Sequence, residues 1–544
     1  PGLYIYFLTQ KLRLIWIPDN ELKTVSGNFC LFSSIRTENN NKFSIDITPK
    51  VHTNFVEHNC VNFSSSFKSS VEFDIELVEI PIKFQIDNAF PSNKIFIGSR
   101  SINPNQYNST ISSSSISFTL FLNDRHGMAW ADFNKDNKKD LFITRGGLRG
   151  KIKEFRNKLG LDLSDELFIN RNNRFFDITK VSGLIKNNCP GYNSYWLDFN
   201  MDSHLDLFVT CHHNNDFLLY QNNGTNRFYN VANKLKLNLK SNLSDTPFVW
   251  IDIDGDSDSD LVVANDNVIQ IIKNNIKSFD VINEIPIRGV IKLSPYDYDH
   301  DGDIDILANS YLGQTSILKN INGDFSLISG DKIGLPLFSS YGNWVDYNYD
   351  GNIDIYFPSH GIYSQNKMGS FYKTKILEHK HPNSVKRSRS TWCDLDNDGD
   401  MDLLLATYYE DPIWKLVINK LLGEYTPHFL KLKNNYGPWK IRIYENLFER
   451  NSSNYWLQII TQVPNNNFEG IGTRILIEQN NQLTAYQVGQ FEGSMTSQGH
   501  YRIYHGIGQK ADFLDLKITW ADGLSEIRTI DSYNRIYYLK RNYY

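Results

Sequence analysis

The chain has 544 residues, with 40% hydrophobic and 14% aromatic content and a formal net charge of −5. That length exceeds one ordinary hydrophobic core, so two or three domains are expected, and the composition suits a globular, β-rich chain. The mild charge excludes the basic footprint of a nucleic-acid binder. No apolar run is long enough for a transmembrane helix, and five scattered cysteines show neither a disulfide framework nor a metal-thiolate spacing.

Residues 1–90 predict a small β-rich region. The opening stretch, 3–16, is apolar but is interrupted by Lys11 and Arg13, so it fails as a secretory h-region. The chain starts with Pro1 rather than Met, as a fragment or a processed product would. The run Val71-Glu-Phe73-Asp-Ile75-Glu-Leu77-Val-Glu-Ile80 alternates apolar and acidic residues, the pattern of a half-buried strand. Nothing in the region indicates a function. Cys30 and Cys60 lie here, and their spacing alone does not support a pair.

From about 91 to 450 the chain repeats one unit. A nine-residue acidic loop, Asp-x-Asp/Asn-x-Asp-x-x-x-Asp, occurs six times, starting at Asp132, Asp198, Asp252, Asp297, Asp346 and Asp394. An apolar run follows each loop at once, from Leu141-Phe142-Ile143 in the first to Leu403-Leu404-Leu405 in the last. Trp stands two residues before five of the loops, as Trp130, Trp196, Trp250, Trp344 and Trp392. The unit therefore reads strand, acidic turn, strand. Two more strand-like pieces follow most loops, such as Leu218-Leu219-Tyr220-Gln221 and Phe228-Tyr229-Asn230-Val231. Four strands per repeat is the content of a propeller blade.

Carboxylates crowded into nine residues repel one another unless a cation sits among them, and hard oxygen ligands in an odd-numbered series suit calcium. The first residue of each loop is the first ligand. Third-position ligands are Asn134, Asn200, Asp254, Asp299, Asn348 and Asp396. Fifth-position ligands are Asp136, Asp202, Asp256, Asp301, Asp350 and Asp398. The seventh residues, Lys138, His204, Asp258, Asp303, Asn352 and Asp400, would offer backbone carbonyls. Asp140, Asp206, Asp260, Asp305, Asp354 and Asp402 would close the shell at position nine. About six structural calcium sites are expected. No helix flanks any loop, which excludes an EF-hand. Loops with Asn at position three keep three carboxylates and the others keep four. Gly occupies position six only as Gly302, Gly351 and Gly399, where a positive φ is expected. Asn137 tolerates that conformation, and Ser203 and Ser257 do so less readily. On these grounds the loops at Asp297 and Asp394 should bind tightest, and those at Asp132 and Asp198 weakest.

The repeat resembles the FG-GAP/VCBS repeat of integrin α-like β-propellers. Downstream, Tyr455-Trp456-Leu457-Gln458-Ile459, Gly470-Ile471-Gly472-Thr473-Arg474-Ile475, His505-Gly506-Ile507-Gly508 and Ile518-Thr519-Trp520-Ala521-Asp522-Gly523 follow the order of an ASPIC/UnbV domain. The combination is similar to the cartilage acidic protein family and its bacterial relatives. That resemblance implies a calcium-binding propeller of seven blades and a C-terminal β-domain over 451–544. The expected fold is all-β, with a seven-bladed propeller, or six-bladed as the alternative. For seven blades, Lys94-Ile95-Phe96-Ile97-Gly98 and Ser117-Phe118-Thr119-Leu120 would supply outer strands of a blade without a loop, completed by Lys440-Ile441-Arg442-Ile443-Tyr444.

In a propeller, turns joining first and second strands share one face, so the remaining turns lie on the other. That far face collects Arg125, His126, Arg145, His212, Tyr311, His360, Arg387, Arg389 and Tyr408. Arg and Tyr are enriched at binding hot spots, and Arg forks suit anionic groups. Two functions follow. One is a non-catalytic, calcium-stabilised recognition or adhesion protein, extracellular or at the cell surface, with a protein or glycan ligand on the far face. The other is an enzyme acting on polysaccharide or glycoconjugate, whose best motif is the pair His212-His213 with His126 and His360 as companions. Adjacent strand residues point to opposite sides, which weakens that pair. An accessory module of a larger polypeptide is a third reading. The polar stretch Thr496-Ser497-Gln498-Gly499-His500 reads as a structural turn. No catalytic residue is assigned.

Overall fold

A computed structural model of the chain describes residues 127–145, 165–171, 175–184, 191–211, 217–237, 239, 246–265, 267–310, 315–337, 341–377, 388–395, 397–406, 443–446, 453–464, 466–490, 497–499 and 501–541. For 2–8, 11–17, 25–30, 33–36, 44–52, 55–65, 71–77, 95–96, 125–126, 174, 407–408 and 439–442 it gives strand backbone alone. The chain is all-β. Among the described residues the one helical element is a 3-10 turn, Gly330–Ile333.

The chain divides into two compact units. One comprises Pro1–Asp87, Phe96–Arg125 and Asn172–Arg174, and the other comprises Asn88–Ile95, His126–Arg171 and Phe175–Tyr544. In the first, Gly2–Leu8, Lys11–Ile17, Val71–Leu77 and Ser33–Arg36 form one sheet in that order. Val25–Cys30, Phe55–Ser65 and Ser44–His52 form another, with Cys30 opposite Cys60 in the strand register. The alternating run from Val71 is a strand, as its pattern predicts.

Each acidic loop joins the first two strands of a four-stranded sheet. The Asp132 sheet holds Arg125–Ala131, Asp140–Arg145, Glu166–Arg171 and Arg174–Asp177. The Asp198 sheet holds Gly191–Leu197, Asp206–Cys211, Phe217–Asn222 and Phe228–Asn230. The Asp252 sheet follows with Phe248–Ile251, Asp260–Ala264, Ile269–Asn274 and Phe279–Ile285. The Asp297 sheet has Val290–Tyr296, Asp305–Ser310, Ser316–Ile321 and Asp324–Ser329. The Asp346 sheet has Asn343–Val345, Asp354–Phe357, Gly361–Gln365 and Phe371–Lys373.

The sixth sheet corrects one expectation. Arg389–Cys393 and Asp402–Tyr408 flank the Asp394 loop, Trp439–Tyr444 is the third strand and Ile95–Phe96 the fourth. The pieces assigned to a loop-less seventh blade thus belong to the sheet of the last loop. The reason is register: Trp439–Tyr444 pairs with the strand after Asp402 from Leu403↔Tyr444 to Tyr408↔Trp439. Residues 117–120 lie outside the described set.

The apolar run after each loop becomes a second strand flanked on both sides. Asp206–Cys211 and Asp305–Ser310 are buried at every position, whereas the outer Phe228–Asn230 is buried only at Phe228. A continuous apolar run is what burial on both faces requires. First strands of successive sheets lie side by side, from Phe248–Ile251 to Val290–Tyr296, Asn343–Val345 and Arg389–Cys393. Two of the Trp residues that precede the loops help join sheets. Trp196 Nε1–H donates to Ala129 O at 3.1 Å and Trp344 Nε1–H to Ser294 O at 2.9 Å. Trp196 also stacks on Phe133 with ring centroids 5.3 Å apart.

The C-terminal segment forms two sheets. Arg502–Gly508, Tyr455–Gln462 and Arg535–Lys540 make one, and Gln482–Gln487, Arg474–Gln479, Leu514–Thr519 and Ser525–Ile530 make the other. Its core is continuous with that of the first two blade-like sheets, because Ala129, Trp196, Leu457, Ile475 and Trp520 belong to one buried cluster. Cys211 is disulfide-bonded, whereas Cys393 carries a thiol, so the cysteines are not all idle as their spacing suggested.

Candidate metal centres

Each loop is shaped by its first and last carboxylates. In all six, the N–H of the sixth residue donates to the first Asp, as from Asn137 to Asp132 Oδ2 at 2.6 Å and from Gly399 to Asp394 Oδ2 at 3.2 Å. The sixth residue has positive φ throughout, including Asn137 at 63°, Ser203 at 68° and Ser257 at 76°. The loop geometry thus overrides the reluctance of Ser. The fourth residue is left-handed as well, as Lys135, Met201, Gly255, His300, Tyr349 and Asn397. Position four carries no sequence signature, so this feature was not foreseeable.

The ninth Asp is tied to the third strand of its own sheet. Its Oδ1 accepts a backbone N–H from Asn170, Asn222, Asn274, Asn320, Gln365 or Asn446 at 2.7–2.9 Å. Five of those six amide side chains donate to the second residue of the preceding loop: Asn222 to Phe133 O, Asn274 to Phe199 O, Asn320 to Ile253 O, Gln365 to Tyr298 O and Asn446 to Tyr347 O. One amide therefore holds both its own loop and the neighbouring one. Sequence reasoning missed these residues, although an Asn or Gln recurs in or just after each third strand.

The second oxygen of the ninth Asp divides the loops. In the Asp252, Asp297 and Asp394 loops it accepts the N–H of Ile253, Tyr298 or Leu395. In the others, Asp140 Oδ2, Asp206 Oδ2 and Asp354 Oδ2 are buried with no donor at full hydrogen-bond geometry, although the Phe199 N–H approaches the Asp206 carboxyl and the Ser364 hydroxyl that of Asp354. These three residues are at most 1% exposed. Burial pushes the Asp140 carboxyl up to about 8, with the nearby carboxylates of Asp132 and Asp136 adding to the rise. Asp206 and Asp354 are raised well above the carboxylate range, by burial first. Burial also lifts Asp132 and Asp198 to about 7 and Asp297 to about 8. An orphaned buried carboxylate oxygen beside further carboxylates fits a hard cation, which removes the cost of both burial and repulsion. In the Asp252 and Asp297 loops, oxygens of Asp252, Asp254 and Asp260, and of Asp297, Asp299 and Asp305, come within 4.8 Å of one another. Asp396 lies outside the described residues, so the Asp394 loop is less completely defined.

All six loops meet the C-terminal domain, which places them on one side. Asp132 N–H donates to Glu469 Oε2 at 3.1 Å. Asp198 lines a cleft with Ile471, Gly472 and Ala521. Asp252 N–H donates to Gln487 Oε1 at 2.7 Å, and Ala485 N–H to Asp297 Oδ2 at 2.9 Å. Gly508 N–H donates to Tyr349 O at 2.9 Å, and Gln458 Nε2 to Asp394 Oδ2 at 2.9 Å. Gln498 bridges two first strands: its backbone joins Met128 and Trp130, and its side chain joins Trp196. The polar stretch around it is thus structural. Between the sheets and this domain a cavity of about 110 Å³ is lined by Tyr296, Trp344, Asp346, Trp392, Tyr486 and Arg502.

The far ends of the same strands carry the other candidates. Arg389 lies 3.3 Å from the ring centroid of Tyr341, and its Nη2 donates to Tyr341 OH at 2.6 Å. Lys292, not foreseen, is buried beside them and donates to Gly342 O at 3.0 Å and to Asn343 Oδ1. Burial, then the charge of Arg389, pushes its ammonium down to about 7. Arg145 is 7% exposed and ion-paired to Glu166 at 3.3 Å, so it is a structural cation more than a docking group. His360 Nδ1 bonds Ser359 Oγ at 2.7 Å, and burial lowers its pKa. His212, Tyr311 and Arg387 lie outside the described residues, as do the side chains of Arg125, His126 and Tyr408.

Residues 198–263 match the FG-GAP-like repeat, and residues 463–542 match the ASPIC and UnbV domain. The chain therefore combines an FG-GAP-like repeat with a C-terminal ASPIC and UnbV domain. No curated protein matches it. Among solved structures, it is similar to an Agrocybe aegerita lectin that recognises non-reducing terminal N-acetylglucosamine (TM-score 0.36, 16% identity, 60% of this chain and 81% of that one). It is similar to the Dos1 propeller (TM-score 0.33, 10% identity, 53% and 66%). A mutant of the Aleuria aurantia lectin in complex with a fucosyl N-acetylglucosamine also resembles it (TM-score 0.30, 8% identity, 53% and 88%). The ASPIC and UnbV match falls on the segment that covers the acidic loops.

Proposed function

We propose that this chain is a calcium-stabilised, non-catalytic recognition module, in which six sheets close into a six-bladed β-propeller. Calcium in the acidic loops holds the blades and fastens the ASPIC and UnbV domain over them. The observation that carries this reading is the set of buried oxygens of Asp140, Asp206 and Asp354 with no donor at full hydrogen-bond geometry, each in a loop of further carboxylates. When bound, calcium supplies charge neutralisation and oxygen coordination; the first, third, fifth and ninth residues would hold it. No bond-breaking chemistry is asked of it.

With the loop side covered by the C-terminal domain, the opposite ends of the strands are the recognition surface. The stacked Arg389 and Tyr341 support an anionic or glycan ligand there, since a guanidinium and an aromatic ring offer charge and a flat face together. The disulfide at Cys211 suits an oxidising compartment, and loops of this kind suit one rich in calcium, so we place the protein outside the cell or at its surface. A glycan array probed with the full chain, in calcium and in chelator, tests the reading. Binding to an acidic glycan that needs calcium and is lost in Arg389→Ala is expected. Binding that survives both chelator and Arg389→Ala would contradict it.

A further inference from the structure

The six loops do not share one electrostatic situation. In the Asp252 loop, Lys273 reaches over from the third strand and places its ammonium against Asp254 and 3.3 Å from Asp256 Oδ2. Lys319 does the same in the Asp297 loop, against Asp299 and 3.4 Å from Asp301 Oδ2. Both lysines occupy one register position, just before Asn274 and Asn320, whose N–H groups bind the ninth carboxylates. At that position the other sheets carry Ile169, Gln221, Ser364 and Glu445. Arg474 of the C-terminal domain adds a third cation between the same two loops. Its Nη1 lies 3.3 Å from Asp252 Oδ2, and its Nη2 lies 3.8 Å from Asp303 Oδ1 and donates to Gly302 O at 2.7 Å.

The Asp198 and Asp346 loops differ. Among the described residues their carboxylates make no ion pair, and each keeps a buried ninth-position oxygen with no donor at full hydrogen-bond geometry. We propose that Lys273 and Lys319 are tethered cations seated at the third and fifth ligand positions of the Asp252 and Asp297 loops, so that divalent ions enter only loops without such a lysine. The inference rests on the calcium reading above and assigns that calcium among the loops. An ammonium delivers one positive charge and three N–H donors to the carboxylates. Being part of the chain, it is present at high effective concentration, whereas a free ion must be drawn from solution. A divalent ion entering beside it would meet like-charge repulsion at a few ångströms. Ranking by carboxylate count is thereby reversed. Two of the three loops that keep four ligand carboxylates, at Asp252 and Asp297, carry their own neutralisation, and the Asn-bearing loops at Asp198 and Asp346 require an ion.

The test counts calcium ions bound per full-length chain, by elemental analysis after equilibrium dialysis, for the wild type and for Lys273→Met/Lys319→Met. The lysine side chains are 31% and 25% exposed, so methionine fits without burying a new polar group. At most four ions in the wild type, rising by two in the double variant, is the expected result. Each single variant should gain one ion, which keeps the test available if the double variant misfolds. Six ions in both proteins would overturn the lysine assignment and leave the calcium reading intact. An equal count below six in both would also overturn it, because removing the ammonium would have opened nothing. No ions in the wild type but two in the double variant would support the lysine assignment while contradicting calcium in the other loops.

Discussion

The side-chain amide of Gln498 reads the backbone of Trp196 on both sides. Trp196 N–H donates to Gln498 Oε1 at 2.7 Å, and Gln498 Nε2 donates to Trp196 O at 3.2 Å. Gln498 is 4% exposed, so neither group has water as an alternative. A residue of the C-terminal domain thus stands in for a neighbouring strand at the innermost edge of the Asp198 sheet.

Gln498→Ala should therefore be costly, because it leaves a buried N–H and C=O of Trp196 unpaired. Each such group costs about 1–3 kcal/mol, so a total of about 3 kcal/mol is expected. Urea titration followed by tryptophan fluorescence reads this as a lower midpoint. A midpoint within error of the wild type would show that the clamp is not part of the folded chain.

Gly506 lies so close to Asp346 that a single methyl group placed on it would overlap Asp346 Oδ2. Gly506→Ala should cost about 2–3 kcal/mol through overpacking and should remove one bound calcium ion. Gly369, whose surroundings are open within 4 Å, is the control. Gly369→Ala pays only for its positive φ, about 1 kcal/mol, and should leave calcium content unchanged. Thermal unfolding with metal analysis on both variants separates the two effects.

Asp206→Asn keeps an acceptor for Asn222 N–H, now bonded to Asp206 Oδ1 at 2.7 Å, while removing the charge of the orphaned oxygen. One ion fewer is expected, along with a smaller rise in Tm on adding calcium. In chelator the variant should melt no lower than the wild type, since burying an uncompensated charge is unfavourable. A full complement of calcium in Asp206→Asn would remove that residue from the ligand set.

His505 supplies a pH dependence. It is buried, its Nδ1 bonds Tyr486 OH at 2.9 Å, and Tyr486 OH in turn meets Tyr296 OH at 3.1 Å. Burial, followed by the charge of nearby His300, pushes its pKa from 6.5 down to about 3. The folded protein therefore holds the ring neutral. Its contribution is fully present above about pH 6.5 and is lost as pH falls toward 3, because the unfolded chain takes up the proton first. Denaturation midpoints at pH 7.5 and 5.5 should differ more in the wild type than in His505→Gln. Equal differences would show that His505 titrates freely in the fold.

Much of the architecture was legible because it is local. An acidic nonapeptide followed by an apolar run states a turn and a buried strand within 15 residues or so, and repetition makes the statement specific. The positive φ at Gly399 and Asn137 followed from residue type. The left-handed fourth position did not, since Met201 and Tyr349 carry no preference for it. Placing 439–444 in the last sheet needed a pairing across a long connection, which single-sequence patterns do not encode. Gly506 sits inside the strand Arg502–Gly508 and is required by close packing on Asp346, a long-range contact that no local pattern encodes. Counting carboxylates ranked the loops, but the cations that pair with them, Lys273, Lys319 and Arg474, come from third strands and from another domain. The far-face list was only partly useful, because Arg145 proves to be paired and buried.

The central claim is that divalent ions in the acidic loops hold the sheets and the C-terminal domain together. Thermal unfolding of the full-length chain in millimolar calcium and in excess chelator tests it most directly, because a ligand bound only to the native state raises stability with the logarithm of its free concentration. The account predicts a Tm at least 10 °C or so higher in calcium, with the C-terminal domain and the sheets melting together. The same Tm in calcium and in chelator would contradict it.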